Sequence, residues 1–378
     1  MLKFIVVDKL NTTYIINTHF LHSGGFFIMN LDSSITVAVT GASGFLGTYI
    51  TASLHRSGHN VIALGRDKKR LRMFEDIGIK TEWWDLRYAD NFDLHNADVV
   101  VHTAGMTDMW GSLRNYLRFN QDLTDILVQR CIKDKVKKLI YISSAEVYTD
   151  NNDRLDVSEN DYIVENNFSY FAQSKIKAEC VLKQYSGNYL DIIVLRPTDI
   201  IGQWDTKFLC NLVKLSKNGG IPIFKNGSNI INPCGIENFV HAVELAVDCP
   251  LTPDKKIKTY NVCGEADWKF KSFVDKAFYY MGETPKYKKE TSFNKALKLA
   301  ENNERIAFVQ DVPTAPRITQ RWLCKYGVSL TVDSSKIRKE LLYKPVRPMD
   351  ATLRDFANWY KQYKKSNSHF FEQRTIEY

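Results

Sequence analysis

The sequence predicts an α/β fold, a doubly wound parallel sheet joined to a smaller, discontinuous C-terminal part. Three observations predict it. An apolar, β-branched run from Ile35 to Val39 leads into Gly41, Gly44 and Gly47, each three residues after the last. From Thr36 to Leu195, short apolar runs alternate with longer stretches of helical spacing, the pattern of strands covered on both faces by crossover helices. After Gly202 the alternation loosens, interrupted by Pro and Gly.

The first strand ends at Gly41, which permits a tight turn, while Gly44 lets a backbone approach a pyrophosphate and Gly47 lets the next helix pack close. That helix runs on through Thr48 to Arg56, before Gly58. Its N-terminus offers N–H groups and a positive dipole end to phosphates. Gly41, Ser43, Gly44, Phe45, Leu46 and Gly47 are therefore candidate dinucleotide contacts. Val61 to Leu64 reads as strand two, Trp83-Trp84-Asp85 closes strand three, and Val99 to His102 is strand four. A long helix is expected from about Leu113 to Asp134, strand five over Leu139 to Ser143, a helix over Tyr170 to Gln184, and strand six over Ile192 to Leu195. Beyond it, Ile236 to Cys249, Lys269 to Met281 and Met349 to Tyr363 read as helices, and Thr259 to Val262 as one more strand.

This order divides the chain. Residues 1–28 read as an extension outside the core, with an added strand at Phe4 to Val7 as the alternative. Residues 35–203 form a dinucleotide-binding domain. Residues 204–378 are mainly a substrate-binding part, with 233–265 returning to the core.

Bulk properties exclude several classes. The 378 residues carry a net charge of +8, but acids and bases are interspersed. The densest basic cluster, Lys133 to Lys138, reads as a solvated helix end rather than a nucleic-acid patch. Seven cysteines without a C-x-x-C pair fit reduced thiols in a cytoplasmic setting and no metal site. No apolar run approaches the ~18 residues of a membrane span.

The cofactor is read at the end of strand two. A site for NAD usually places an acid there to hold both ribose hydroxyls. That position is Gly65, 24 residues after Gly41, and Arg66 comes next with Lys68, Lys69 and Arg70 close behind. No carboxylate repels a 2′-phosphate, and a guanidinium can bind one in bidentate fashion. NADP(H) is favoured over NAD(H). The alternative is that the basic run only caps a solvated helix.

Further motifs run in order through Val101-His102-Thr103-Ala104-Gly105, Phe119-Asn120, Ser143-Ser144-Ala145-Glu146-Val147-Tyr148, Ser174-Lys175 with Ala178-Glu179, and Leu195-Arg196-Pro197. They continue through Asp333 to Lys336, Glu340 to Pro345 and Trp359-Tyr360. With them the chain resembles the extended short-chain dehydrogenase/reductases, the NAD-dependent epimerase/dehydratase family. Asp108 to Gly111 and Pro316 to Thr319 look most like its 3β-hydroxysteroid dehydrogenase-like branch. The resemblance implies a Rossmann domain. It implies that Asp85 and Leu86 meet the adenine, and that Thr103, Ala104 and Gly105 line the pyrophosphate and ribose cleft. Pro197 would shape the nicotinamide pocket, and Asn120 would support the catalytic helix.

The resemblance also implies a Tyr four residues before Lys175, transferring a proton at the substrate oxygen. A free Tyr has a pKa of about 10, and a nearby Lys ammonium lowers it by favouring phenolate. Ser144 and Lys175 match the family's Ser and Lys, but position 171 is Phe171. Tyr170 is adjacent. At about 100° per residue, 171 and 175 lie about 40° apart on a helix, but 170 and 175 about 140° apart. Only a π-bulge or a frayed first turn would swing Tyr170 inward. The candidate catalytic set is thus Ser144, Lys175 and Tyr170.

Two readings stay open. One is an NADP(H)-dependent oxidoreductase or epimerase, acting on a secondary alcohol or ketone of a nucleotide sugar, sterol-like or other small molecule. The other is an NADP(H)-binding protein without redox turnover. The partner is a small-molecule substrate, with neither nucleic acid nor a membrane span, and a homodimer is compatible with both readings.

Overall fold

Valine, isoleucine and leucine crowd the inner strands because both faces of the sheet are covered. The computed structural model describes residues 3–7, 13–17, 34–85, 92–163, 168–185, 187, 190–252, 256–289, 292–312 and 314–367. Seven strands, all parallel, form its main sheet: β1 (Thr36–Thr40), β2 (Asn60–Gly65), β3 (Lys80–Trp83), β4 (Val99–His102), β5 (Lys138–Ile142), β6 (Asp191–Pro197) and β7 (Lys258–Val262). Their order is β7-β6-β5-β4-β1-β2-β3. Val37 of β1 aligns with Val61 of β2 on one side and Val99 of β4 on the other. The chain steps outward from β1 to β3, then returns to place β4 on the far side of β1. Winding therefore reverses between β1 and β4, the place where such sheets open a ligand crevice at their carboxyl edge. Gly41, Arg66, Asp85, Thr103, Ser144 and Pro197 all stand at or just past strand ends on that edge.

Helices cover both faces. α1 (Phe45–Arg56), α2 (Lys68–Glu75) and α5 (Ile236–Asp248) bury Ile50, Leu54, Leu71, Phe74, Phe239 and Val243 on one side. α3 (Leu123–Lys133) and α4 (Tyr170–Gln184) bury Leu123, Leu127, Ala178 and Leu182 on the other. The helix expected from Leu113 to Asp134 is not uniform. It begins as Leu113–Tyr116, widens into a π-helical stretch over Leu117–Asp122, and resumes as α3. Residues after 235 rejoin the sheet, since β7 pairs in parallel with β6, Tyr260 opposite Leu195.

The remaining chain builds a second core. Leu212, Phe270, Phe273, Trp322 and Phe356 pack together there. α6 (Phe293–Val309), α7 (Gln320–Tyr326) and α8 (Met349–Ser366) belong to this part. Its four-stranded sheet runs Trp268–Lys269, Ile230–Ile231, Leu330–Val332, Arg154–Val157. The last strand comes from the sequence before 203, so the two parts exchange a segment. Lys3–Val7 and Thr13–Asn17 pair antiparallel as a separate two-stranded sheet, with Lys3 opposite Asn17.

Candidate functional site

The turn after β1 is built by what its glycines lack. Gly41 has φ +71°, and a Cβ there would lie 2.8 Å from the Ala104 nitrogen. Gly47 is more crowded: its Cβ would collide with the Gly41 carbonyl oxygen and sit 2.7 Å from that carbonyl carbon. Gly44 meets only the Gly41 oxygen, at 3.1 Å. The loop is pinned by the Ala42 N–H donating to the Leu64 carbonyl (3.0 Å) and by the Thr48 hydroxyl donating to the Gly44 carbonyl (2.7 Å). α1 opens at Gly44 with no side-chain cap and no acid in its first turn. Such an end suits an anion. Alanine normally favours a helix over glycine by ~1 kcal/mol. Gly47→Ala should instead destabilise the protein by about 1–3 kcal/mol, the cost of overpacking. Thermal melting checks the sign.

At the end of β2, a Cβ on Gly65 would lie 2.8 Å from the Ser43 hydroxyl oxygen. Any acid at 65 would displace Ser43. Arg66 is exposed just beyond, and its carbonyl accepts from the Trp83 indole at 3.2 Å. Asp67 caps α2, accepting from the Lys69 and Arg70 N–H groups (3.1 and 3.2 Å). The Arg70 guanidinium donates to the Ser43 carbonyl (2.6 Å), which brings a second arginine to the glycine turn. Asp85 is buried past β3. Leu86 lies outside the described residues.

Past β4, the Thr103 hydroxyl donates to the Thr40 carbonyl (2.7 Å) and ties the turn to β1. Asn120, presented by the π-helical stretch, clamps the loop just beyond. Its Oδ1 accepts from the Met106 N–H (2.8 Å), and its amide donates to the Met106 carbonyl (3.1 Å) and the Ser174 hydroxyl (2.8 Å). A Cβ on Gly105 would lie 2.6 Å from that Oδ1, so the residue must be small for the clamp to close. Asn120 thereby joins the loop after β4 to α4.

The candidate catalytic residues Ser144 and Lys175 sit where β5 meets α4. Lys175 is buried, and its ammonium donates to the Ile142 carbonyl at 2.8 Å. Burial lowers its pKa to about 8, with Glu179 pulling the other way. His102 lies beneath, its Nδ1 2.6 Å from the Thr40 hydroxyl. Burial, aided by Lys175, drops its pKa to about 3, so it is neutral at ordinary pH. Ser144 is half-buried and caps the short turn Ala145–Tyr148, its Oγ accepting from the Glu146 N–H at 3.1 Å. The preceding Ser143 donates to Glu179 (2.6 Å), which is paired with Arg196 through Nε at 3.0 Å. Burial opposes the Arg196 charge, but Glu179 more than restores it and raises its pKa.

Position 171 is inside. Phe171 is 5% exposed, and its ring centroid is 5.9 Å from the Lys175 nitrogen. Tyr170 is not brought to Lys175. α4 starts as a regular α-helix capped by Ser169, whose hydroxyl accepts from the Ala172 N–H (3.1 Å). With no π-bulge and no fraying, Tyr170 turns outward. It is 37% exposed, 6.2 Å from the Phe308 ring.

A charged cluster above Phe171 was not foreseen as a site. The Arg321 guanidinium lies 4.1 Å from the Phe171 centroid. It donates to both oxygens of Glu146 (2.8 and 2.9 Å) and to the Asp108 carbonyl (2.6 Å). Lys325, one turn along α7, bridges Glu146 and Asp199, both at 2.6 Å. Burial opposes the Glu146 charge, but the two cations outweigh it and hold its pKa at about 2. The signal was present in the sequence only as Glu146 beside Ser144 and as the Arg321/Lys325 spacing. Neither fixes a partner about 175 positions away.

Among the described residues no group of three His, Cys, Asp or Glu is placed to hold a metal, and no helix is long and apolar enough to cross a membrane.

Comparison with known proteins agrees with this layout. The model of the NAD dependent epimerase/dehydratase family matches residues 37–263. The uncharacterized protein YbjS of Escherichia coli (strain K12) is 25% identical over 338 residues, covering 87% of this chain and 98% of its own. Sterol-4-alpha-carboxylate 3-dehydrogenase, decarboxylating, of Homo sapiens is 26% identical over 270 residues, 68% of this chain and 70% of its own. The structure of UDP-glucuronic acid 4-epimerase from Bacillus cereus in complex with NAD superposes with a TM-score of 0.66 at 18% identity, covering 87% of this chain and 99% of that one. That likeness shows the fold.

Proposed function

Because the chain belongs to the NAD-dependent epimerase/dehydratase family, we propose that it is an NADP(H)-dependent oxidoreductase or epimerase acting at a secondary alcohol or ketone of a small molecule. One observation carries the reading: Lys175, buried and anchored on the Ile142 carbonyl, sits beside position 171 on the edge that also carries the uncapped glycine turn. The nicotinamide would supply or accept the hydride. The chain's own residues do the rest. Gly41 to Gly47 and the first turn of α1 hold the pyrophosphate. Arg66 and Arg70 meet a 2′-phosphate where Gly65 leaves room for Ser43 and none for an acid. Thr103 to Gly105 and Pro197 border the ribose and nicotinamide. Lys175, still cationic at neutral pH, holds the ribose hydroxyls. Ser144 spends a lone pair on the Glu146 N–H and keeps its O–H to donate to the substrate oxygen. Phe171 gives no proton, so one reaches that oxygen through the Ser144 hydroxyl or water.

A second reading is favoured by the outward Tyr170 and the inward Phe171: a protein that binds NADP(H) and turns it over slowly or not at all. Fluorescence titration tests the binding common to both. NADPH should bind more tightly than NADH, and Arg66→Ala should weaken NADPH by ~10- to 100-fold, the worth of a charge-assisted contact, while leaving NADH nearly unchanged. Equal affinities in the native chain overturn the NADP(H) assignment. NADPH oxidation against a carbonyl panel then separates enzyme from binder.

A further inference from the structure

A second hollow lies on the outer side of the glycine turn, between α1, α2 and α8. Its walls are Phe45, Met73, Phe74, Trp204 and Trp359, with Arg70 at the edge. With its open mouth counted it holds about 690 Å³, within the ~300–1,000 Å³ of small-molecule sites. It shares Gly44, Phe45 and Arg70 with the nucleotide turn, but none of Ser144, Lys175, Thr103 to Gly105 or Pro197 borders it. It reaches Thr48, inside α1, and Phe74, near the end of α2. Rings fix the walls. Trp204 leans on Tyr49 at 5.3 Å, Tyr49 meets Phe45 edge-on at 5.9 Å, and Trp359 stacks on Tyr363 at 4.8 Å.

Two polar atoms in these walls have no partner. The indole nitrogens of Trp204 and Trp359 are shut off from water and donate to nothing, and Trp359 as a whole is 5% exposed. A buried donor without an acceptor is unfavourable and uncommon in folded chains. Trp204 is also held at φ +70°, a conformation that bulky side chains rarely adopt, and such strain clusters at ligand clamps. What the walls offer is donors. Among the described lining residues there is no carboxylate, and the ionisable side chain besides Tyr363 is Arg70. Its guanidinium gives an N–H to the Ser43 carbonyl, stands 3.8 Å from the Asp67 carboxylate and is 41% exposed. With five donors in all, it keeps others for a ligand. An acceptor-only anion complements two N–H groups and a guanidinium, and an apolar body complements the rings. An amine would meet like charge and more donors.

We propose that this hollow binds a small carboxylate with an aromatic or alicyclic body, alongside the cofactor rather than in its place. The carboxylate oxygens take the Trp204 and Trp359 N–H groups, and the charge faces Arg70. The probe is 2-naphthoate, titrated into the full chain by calorimetry with and without saturating NADPH. The indole N–H signals of nitrogen-15-labelled protein are followed in parallel. The chain has seven tryptophans, and the signals of Trp204 and Trp359 should move downfield as naphthoate saturates. Trp359→Phe keeps a ring and removes the N–H, and should lose ~10-fold in affinity, the size of a hydrogen bond to a charged group. 2-Acetonaphthone, the uncharged analogue, should bind ~10-fold more weakly than naphthoate. Saturating NADPH should leave naphthoate binding measurable. No saturable binding, no movement of the indole signals, or equal binding of the ketone overturns the proposal. So does naphthoate binding that NADPH abolishes, which gives the hollow to the cofactor. Should Trp359→Phe not fold, the indole signals of the native chain decide alone.

Discussion

Phe171→Tyr should raise carbonyl reduction by ~10²–10⁴-fold, the range a positioned general acid contributes. The ring is already in place, between the Lys175 ammonium and the Arg321 guanidinium. Both cations would favour the phenolate of a tyrosine there and so lower its pKa. The native backbone needs no adjustment, since α4 is regular through its first turn. Tyr170→Phe should leave turnover unchanged, because its ring faces Phe308. Steady-state NADPH oxidation reads both variants. A Tyr170→Phe variant that loses activity would show that the outward tyrosine turns in during the reaction. A Phe171→Tyr variant with no gain would show that the site does not use a phenol, and would favour the binding protein.

The second large effect is on stability. Glu146→Ala strands the buried Arg321 and leaves Lys325 with Asp199 alone, and breaking a buried pair from one side costs about 3–5 kcal/mol. The pH dependence has a definite sign. The Glu146 pKa is about 2 in the folded protein, against about 4.3 for a free carboxyl. A depressed carboxyl stabilises fully above the unfolded value and loses that contribution as pH falls through the folded one. The gap between native chain and variant should therefore be widest near neutrality and shrink between about pH 4.5 and pH 2. His102 adds acid sensitivity to both proteins. Its folded pKa of about 3 lies below the free value of about 6.5, so stability declines as pH falls from there. Urea unfolding at several pH values measures each slope. A constant gap across the acid range would show that Glu146 is not held ionised by Arg321 and Lys325.

How much of this was legible in the sequence depended on the range of the interaction. The β1 turn is largely local: strand, glycines and helix lie within about twenty residues, and Gly44 and Gly47 answer to Gly41 and Ala42 close by, whereas Gly41 answers to Thr103 and Ala104 past β4. Phe171 was legible as a departure because the helix fixes its angle to Lys175. The π-helical stretch was not, because its sequence keeps apolar spacing through Leu117–Asp122. Its reason is tertiary, the hold of Asn120 on Met106 and Ser174. α6 was missed for a related cause. Of its seventeen residues only Ala300 and Ala307 are buried; Phe293, Ala296 and Leu297 extend the same face but are only partly buried against the second core, so the apolar stripe is short and shallow. Arg321 and Glu146 lie so far apart in sequence that nothing local joins them.

The strand Arg154–Val157 lies early in the chain, yet its partner is Leu330–Val332, with Leu330 opposite Arg154. A ribosome adding ~5–20 residues per second needs on the order of ten to thirty seconds to make the intervening segment. Throughout that interval the nascent chain carries an unmatched edge, directly after the turn that holds Ser144 and Glu146. The glycine turn can condense early from neighbouring segments, whereas the loop of Ser144 and Glu146 stays open until α7 and the strand behind it emerge. Synthesis order therefore separates the two halves of the site in time, and makes the late-arriving half the one exposed to chaperones and proteases.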